Sequence, residues 1–357
     1  MVIVALILAV LTAYIAQIKK RYFKFWFFIS FLILAVLCFC SKSGTDMVPY
    51  VYYYNTWGLE DLFDLQFEIG DRLLFYLLHG VIKNPYIGIG IIKIGSIMMI
   101  YHSIFVIRDK VNVTLSVISY ICLLYIFNFH LIRMMLAVGI VSMAFSYEII
   151  GKSKKCIILL IMAFFFHYSS ILVLITFLAY KFLIRKELSI FKVLTIFSLL
   201  LCAMSFIVPI VTSLVNSYEV FSKYDNYISS SNHIGVVQII LFIPIALMLY
   251  LHYKSENNTL LYKTGLYTGL LCFFAGSLGY IYPVISRTVY YFYYFFLSYA
   301  SSGIGKSNKV KIRFGGYVFS IKDILLISYL IMHLFVNYKL GNILKSNGVE
   351  EYLLFWK

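Results

Sequence analysis

Uninterrupted apolar runs, several of them about 20 residues long, constrain this chain more than any single residue does; 1–18 and 131–150 are examples. A helix crosses the hydrocarbon of a bilayer in about 20 residues. No water is available there for backbone N–H and C=O groups, so only helices and closed barrels span it. A β-barrel shows short alternating segments, not continuous runs. The sequence therefore predicts an all-α, polytopic integral membrane protein. Composition agrees, since 62% of residues are hydrophobic and 13% are charged, against about 25% charged in a soluble domain. A fold that leaves most of this chain in contact with water is excluded.

The runs fall at approximately 1–18, 25–40, 86–107, 111–129, 131–150, 156–180, 190–212, 236–253, 260–281, 288–304 and 321–338. They predict about ten transmembrane helices plus re-entrant or interfacial half-helices. Leu73–Ile82 is too short to span unaided and is read as lying along the outer surface. Thirty Lys and Arg against fifteen Asp and Glu give a charge of +15. In membrane proteins such an excess sits in cytoplasmic loops and fixes orientation, so it does not imply nucleic acid. The clusters Lys19–Arg21, Arg108–Lys110, Lys152–Lys155, Arg185-Lys186, Lys254 and Lys306–Arg313 all reach the cytoplasm in one threading, provided that 156–180 enters and leaves on that side. The polar stretch Phe166-His167-Tyr168-Ser169-Ser170 interrupts that run at its middle, and irregular backbone at depth is tolerated where it lines a cavity. An uninterrupted span would put Lys306–Arg313 outside. Met1–Ile18 lacks a basic n-region and reads as a retained helix, not a signal peptide. No internal repeat is visible. Residues 1–357 read as a single membrane domain, with an extracytoplasmic loop and interfacial helix at 41–85 and a second such loop at 216–235.

On this threading several polar residues gather at the outer face. Arg133 sits at the mouth of an apolar helix, with His130 one turn earlier; a guanidinium fork suits phosphate. Arg287 is a second cation at an outer helix start, and Lys93 lies about two turns into an apolar helix. For all three cations the plain alternative is snorkelling to the interface. His167 lies deep in the run 156–180, and an intramembrane ionisable group is a functional candidate; the alternative is that it satisfies carbonyls at a helix break. The first outer loop holds Asp46, Glu60, Asp61, Asp64, Glu68 and Asp71. Asp46 and Glu68 are candidates for proton transfer, and Glu60, Asp61 and Asp64 read as a solvated surface. The tyrosine-rich stretch Tyr290–Tyr294 reads as an interface belt. The six cysteines are scattered through apolar runs, as buried small side chains are. No zinc spacing, P-loop or G-x-S-x-G element occurs, so neither a metal nor a nucleotide cofactor is expected.

Several features in this order resemble the EpsG family of Wzy-type bacterial polysaccharide polymerases. They are Asp46 four residues before Tyr50, Glu68-Ile69-Gly70 before a short Leu-rich run, Arg133 with Ala137, a Gly151-Lys152 turn, Phe166–Ser170, and a late Arg287. The family's usual Glu-Pro-Gly reads Glu68-Ile69-Gly70 here, which gives a less rigid turn. The resemblance implies a multi-pass protein of the bacterial cytoplasmic (inner) membrane. It implies joining of oligosaccharide repeat units carried on undecaprenyl pyrophosphate at the outer face, in company with a flippase and a chain-length regulator. His167, Glu68 and Asp46 are then candidates for the base, and Arg133, Arg287, His130 and Lys93 for holding pyrophosphate and sugar.

Two other readings are weighed. A transporter or flippase of a lipid-linked sugar also wants cations along a polar path, but it should show half-repeats and ionisable groups toward both faces. A membrane acyltransferase acting on extracellular polysaccharide is compatible with His167 but has less need of two outer arginines.

Overall fold

The computed structural model describes residues 2–42, 44, 46–58, 60, 68–185, 236–253, 259–281, 287–300, 311–314 and 317–339. The run 190–212, the loop 216–235, and Asp61 and Asp64 lie outside the described residues.

The described chain is helical: α1 Val2–Ile18, α2 Phe23–Phe39, α3 Met47–Thr56, α4 Ile69–Val81, α5 Pro85–Val106, α6 Val113–Leu123, α7 Ile132–Ile149, α8 Ser153–Phe166, α9 Ile171–Arg185, α10 Val236–Tyr253, α11 Leu260–Ile281, α12 Val289–Phe292, α13 Tyr294–Tyr299 and α14 Ile321–Lys339. An antiparallel hairpin pairs β1 (Lys311–Phe314) with β2 (Tyr317–Ser320). Three stretches among the described residues are long and apolar enough to cross a membrane: Lys20–Phe39, Pro85–Val106 and Ile132–Ile149. Shorter apolar helical stretches are Val2–Ile18, Val113–Leu123, Tyr168–Phe182 and Ile243–Tyr253.

Local chemistry sets the helix ends. Asn84 caps α5 by accepting from Tyr86 N at 3.0 Å, with Pro85 at the first helical position, where its missing N–H costs nothing. α7 ends on Gly151, whose φ of +80° is a conformation that glycine adopts without a Cβ penalty.

α7 is the hub of the fold. It packs against α5 on one side and α8 on another, and it is buried on nearly every face, as expected of a helix that is apolar all round. α8 and α9 form a hairpin beside it. Lys181 Nζ, near the end of α9, donates to Ser153 Oγ at 3.1 Å, at the start of α8. It also pairs with Glu148 at the end of α7. The run 156–180 therefore begins and ends beside the same end of α7, with its polar break at the far tip.

Two runs differ from the sequence reading. The stretch 111–129 is divided into α6 and a separate 3₁₀ turn, Tyr125–Phe129. Asn128 is the cause in chemical terms: its amide donates to Tyr120 Oη (3.0 Å) and Tyr125 O (2.9 Å), giving the backbone a local partner that competes with continued helix. The aromatic stretch at 290 is not a belt. Tyr291, Phe292, Tyr293 and Tyr294 are buried in α12, α13 and the joint between them, and Tyr294 and Ser146 of α7 share a 2.6 Å hydroxyl contact.

Candidate active site

Glu68 stands immediately before α4 with extended backbone, and only 6% of it is exposed. Gly70 explains how it gets there. A Cβ at Gly70 would lie 2.6 Å from Phe165 O, so the first turn of α4 presses directly on the end of α8. That approach carries Glu68 to the tip of the α8–α9 hairpin.

At the tip, α8 closes with His167 N donating to Ala163 O (3.0 Å). His167 then turns to extended backbone (φ −159°, ψ 113°), and a single 3₁₀ turn, Tyr168–Ser170, leads into α9. Its Nδ1 lies 2.8 Å from Glu68 Oε1. The other carboxylate oxygen, Oε2, accepts from Arg133 Nη1 at 2.5 Å, while Arg133 Nε donates to Tyr50 Oη at 3.3 Å. α3, α4, α7 and α8 thus each deliver one member of a cluster: Tyr50, Glu68, Arg133 and His167. The tip is held further by a 2.9 Å contact between Ser169 Oγ and Tyr291 Oη.

The electrostatics follow from this geometry. Burial by itself would raise the pKa of Glu68, but the hydrogen bond from His167 and the charge of Arg133 more than reverse it and hold the carboxyl at about 2. Glu68 is therefore an anion and a poor base. With Nδ1 facing that anion, the network assigns a proton to Nδ1. A quarter of the His167 side chain is exposed.

Asp71 has no role in the sequence reading. It is 1% exposed, and its Oδ2 has no hydrogen-bond partner. Burial raises its pKa well above the ordinary carboxyl range; the charge of Arg133 opposes this and that of Glu68 adds to it. The available signal was its place one helical turn after Glu68 on an amphipathic helix, which puts both on one face. Sequence alone does not say that this face is covered.

A second polar group lies nearby. Lys93 is 1% exposed, so it is buried and does not snorkel. Its Nζ donates to Ser41 O at 3.3 Å and sits 5.9 Å from the centre of the Phe129 ring. No carboxylate among the described residues pairs with it. His130 is also buried, and its Nδ1 has no hydrogen-bond partner. Burial, then the charges of Arg287 and Lys93, hold His130 down at about 4. Arg287 is exposed. Lys93 and Arg287 are the cations of this group, and His130 is its neutral member at neutral pH.

The candidates thus sort into two neighbourhoods. Glu68, His167 and Arg133 are brought together, and Lys93, His130 and Arg287 form the other group. Asp46 stands just before α3, one turn from Tyr50, whose N donates to Asp46 O at 3.0 Å. Glu60 is exposed. Sequence reasoning did not identify Tyr50 as a partner of Arg133. Among the described residues no cluster of three or more His, Cys, Asp or Glu could hold a metal ion.

A family model, that of the EpsG family, matches residues 23–342. No curated protein and no solved structure matches the chain.

Proposed function

Because the chain belongs to the EpsG family, we propose that it is a membrane glycosyltransferase of polysaccharide biosynthesis, joining oligosaccharide repeat units carried on undecaprenyl pyrophosphate at the outer face of the cytoplasmic membrane. The observation that carries this reading is the bridge from His167 through Glu68 to Arg133, together with the cations Lys93 and Arg287 around His130. One neighbourhood handles a proton. The other receives an anion.

In the reaction, the acceptor sugar hydroxyl attacks the anomeric carbon of the donor sugar. The carbon–oxygen bond to pyrophosphate breaks, and its electron pair leaves with the undecaprenyl pyrophosphate. The hydroxyl proton passes to Nε2 of His167. A sugar hydroxyl ionises far above neutral pH, so a positioned base assists the step, typically by about 10²–10⁴-fold. Glu68 holds the imidazole in the tautomer that can accept and stabilises the imidazolium that forms, as the carboxylate does in a catalytic triad. Arg133 keeps Glu68 ionised and in place, with Tyr50 fixing the guanidinium. In this assignment Arg133 is a positioning residue first, since two of its donors are already engaged inside the protein.

The leaving pyrophosphate needs fixed positive charge in a water-poor site. Lys93 is a buried cation without a carboxylate counter-ion among the described residues, an arrangement that is costly on its own and is relieved by an anion. Arg287 adds an exposed fork at the approach. Asp46 remains the alternative proton acceptor on this reading. The paired loops, the flippase and the chain-length regulator belong to the same proposal.

The test is reconstitution. Purified protein in liposomes, supplied with undecaprenyl-pyrophosphate-linked repeat units, should give a ladder of products and release one undecaprenyl pyrophosphate for each new bond. Movement of the intact lipid-linked sugar between leaflets, without ladder or release, would favour the transporter.

A further inference from the structure

A separate cleft of about 990 Å³ lies where the turn joining α1 to α2 meets the turn joining α5 to α6. α5 connects this cleft with the candidate site: Lys93 is in its first half, and Arg108 follows its last turn. We infer that this cleft is a binding site for the phosphate-bearing headgroup of an anionic membrane lipid.

The lining argues for an anion. Lys20, Arg21, Lys24 and Arg108 face it, against one acid, Asp109. Asp109 is 84% exposed and lies 3.7 Å from Arg108, a loose pair of little consequence. Gln17 and Asn112 also line the cleft, and their carbonyl oxygens are already used. Gln17 Oε1 accepts from Thr114 N (2.9 Å) and Thr114 Oγ1 (2.8 Å), and Asn112 Oδ1 accepts from Leu115 N (3.0 Å). These bonds fix both amide orientations and leave the NH₂ groups, which can only donate. Asn112 is also the cap of α6, so the positive end of that helix dipole opens into the same space. Cations near the ends of α1 and α5 are expected from helix dipoles and from orientation bias alone. Those effects do not require that two amides with engaged carbonyl oxygens also line the same cleft.

A lipid headgroup is favoured over a soluble anion by position. The cleft sits among the ends of apolar helices, two of them in stretches long enough to span a bilayer, which places it at headgroup level. Basic pockets between helix ends on the cytoplasmic side suit anionic headgroups, and its volume fits one.

The experiment is native mass spectrometry of the full-length protein, extracted in detergent and supplied with equal phosphatidylglycerol and phosphatidylcholine. Wild type should retain phosphatidylglycerol selectively. Gln17→Glu keeps the acceptor that Thr114 uses but turns the donor into a carboxylate, and retention should fall by about fivefold or more. The triple variant Lys20→Gln/Arg21→Gln/Lys24→Gln should lose about tenfold or more, while Lys152→Gln/Lys154→Gln/Lys155→Gln should lose little. Equal losses in both triple variants would show diffuse surface charge and overturn the proposal, as would unchanged retention in Gln17→Glu. Displacement of the lipid by millimolar inorganic phosphate, or phosphate binding without lipid, would assign the cleft to a soluble anion instead.

Discussion

Glu68 and His167, 99 residues apart in sequence, meet through Oε1 and Nδ1 at 2.8 Å. This contact decides how the acid and the imidazole divide their work. A carboxylate held at about 2 is a weak proton acceptor, whereas the imidazole that it orients keeps its second ring nitrogen, Nε2, out of their contact. The base on the proposed reading is therefore the histidine.

Removing the charge of Glu68 should separate stability from activity. Glu68→Gln leaves Arg133 without its counter-charge, and loss of one partner of a buried pair costs about 3–5 kcal/mol. With 23% of the Arg133 side chain exposed, the lower end is expected. The double variant Glu68→Gln/Arg133→Met should regain membrane abundance yet remain about 100-fold or more below wild type in polymer yield. Recovery of activity along with abundance would mean that the pair serves the fold alone.

Acid should loosen the same cluster. The folded-state pKa of Glu68, about 2, lies below its ordinary 4.5. Its contribution is present above the ordinary value and is lost as pH falls through the folded one; a shift of this size corresponds to roughly 3 kcal/mol. Thermal unfolding in detergent between pH 6 and pH 2 should show a fall below about pH 4.5 that is absent from Glu68→Gln/Arg133→Met.

Asp71 should behave in the opposite sense. Its pKa is raised by burial, so the stability it contributes is present below its ordinary value and is lost as pH rises through the folded one. Asp71→Asn removes that loss and should raise stability at neutral pH by about 1–3 kcal/mol, the usual cost of a buried unsatisfied polar group. A lower unfolding midpoint for Asp71→Asn would show that Asp71 is ionised and held by a partner.

Lys93→Met replaces a buried charge by an apolar chain of similar size, a change often neutral or stabilising. Abundance should hold, while the apparent KM for the lipid-linked donor should rise about tenfold or more, as expected for loss of a charged hydrogen bond. Unchanged donor affinity would remove Lys93 from the anion site.

Helical architecture was legible because its signal is long and continuous, and the break at Phe166–Ser170 because five residues interrupt an apolar run. Residues such as Asp71 and Tyr50 were less legible. Each takes its meaning from what covers it, here α7 and the tip of the α8–α9 hairpin, and no local pattern encodes that cover. Gly70 is intermediate: the sequence offered it as part of a turn, but its function is the close approach to Phe165. The splitting of 111–129 at Leu124 is not legible in the sequence, because one amide, Asn128, in an apolar run does not lower its hydropathy enough to register.

The most direct test of the central claim is polymer yield per unit of membrane-embedded protein for His167→Gln and His167→Leu, measured side by side on lipid-linked repeat units. Gln can hold the hydrogen bond to Glu68 but cannot exchange a proton near neutral pH. The account predicts normal abundance and at least about 100-fold less polymer for the Gln variant, with the Leu variant inactive and less abundant because Glu68 loses a buried partner. Wild-type yield from His167→Gln would contradict the assignment of His167 as the base and pass that role to Asp46.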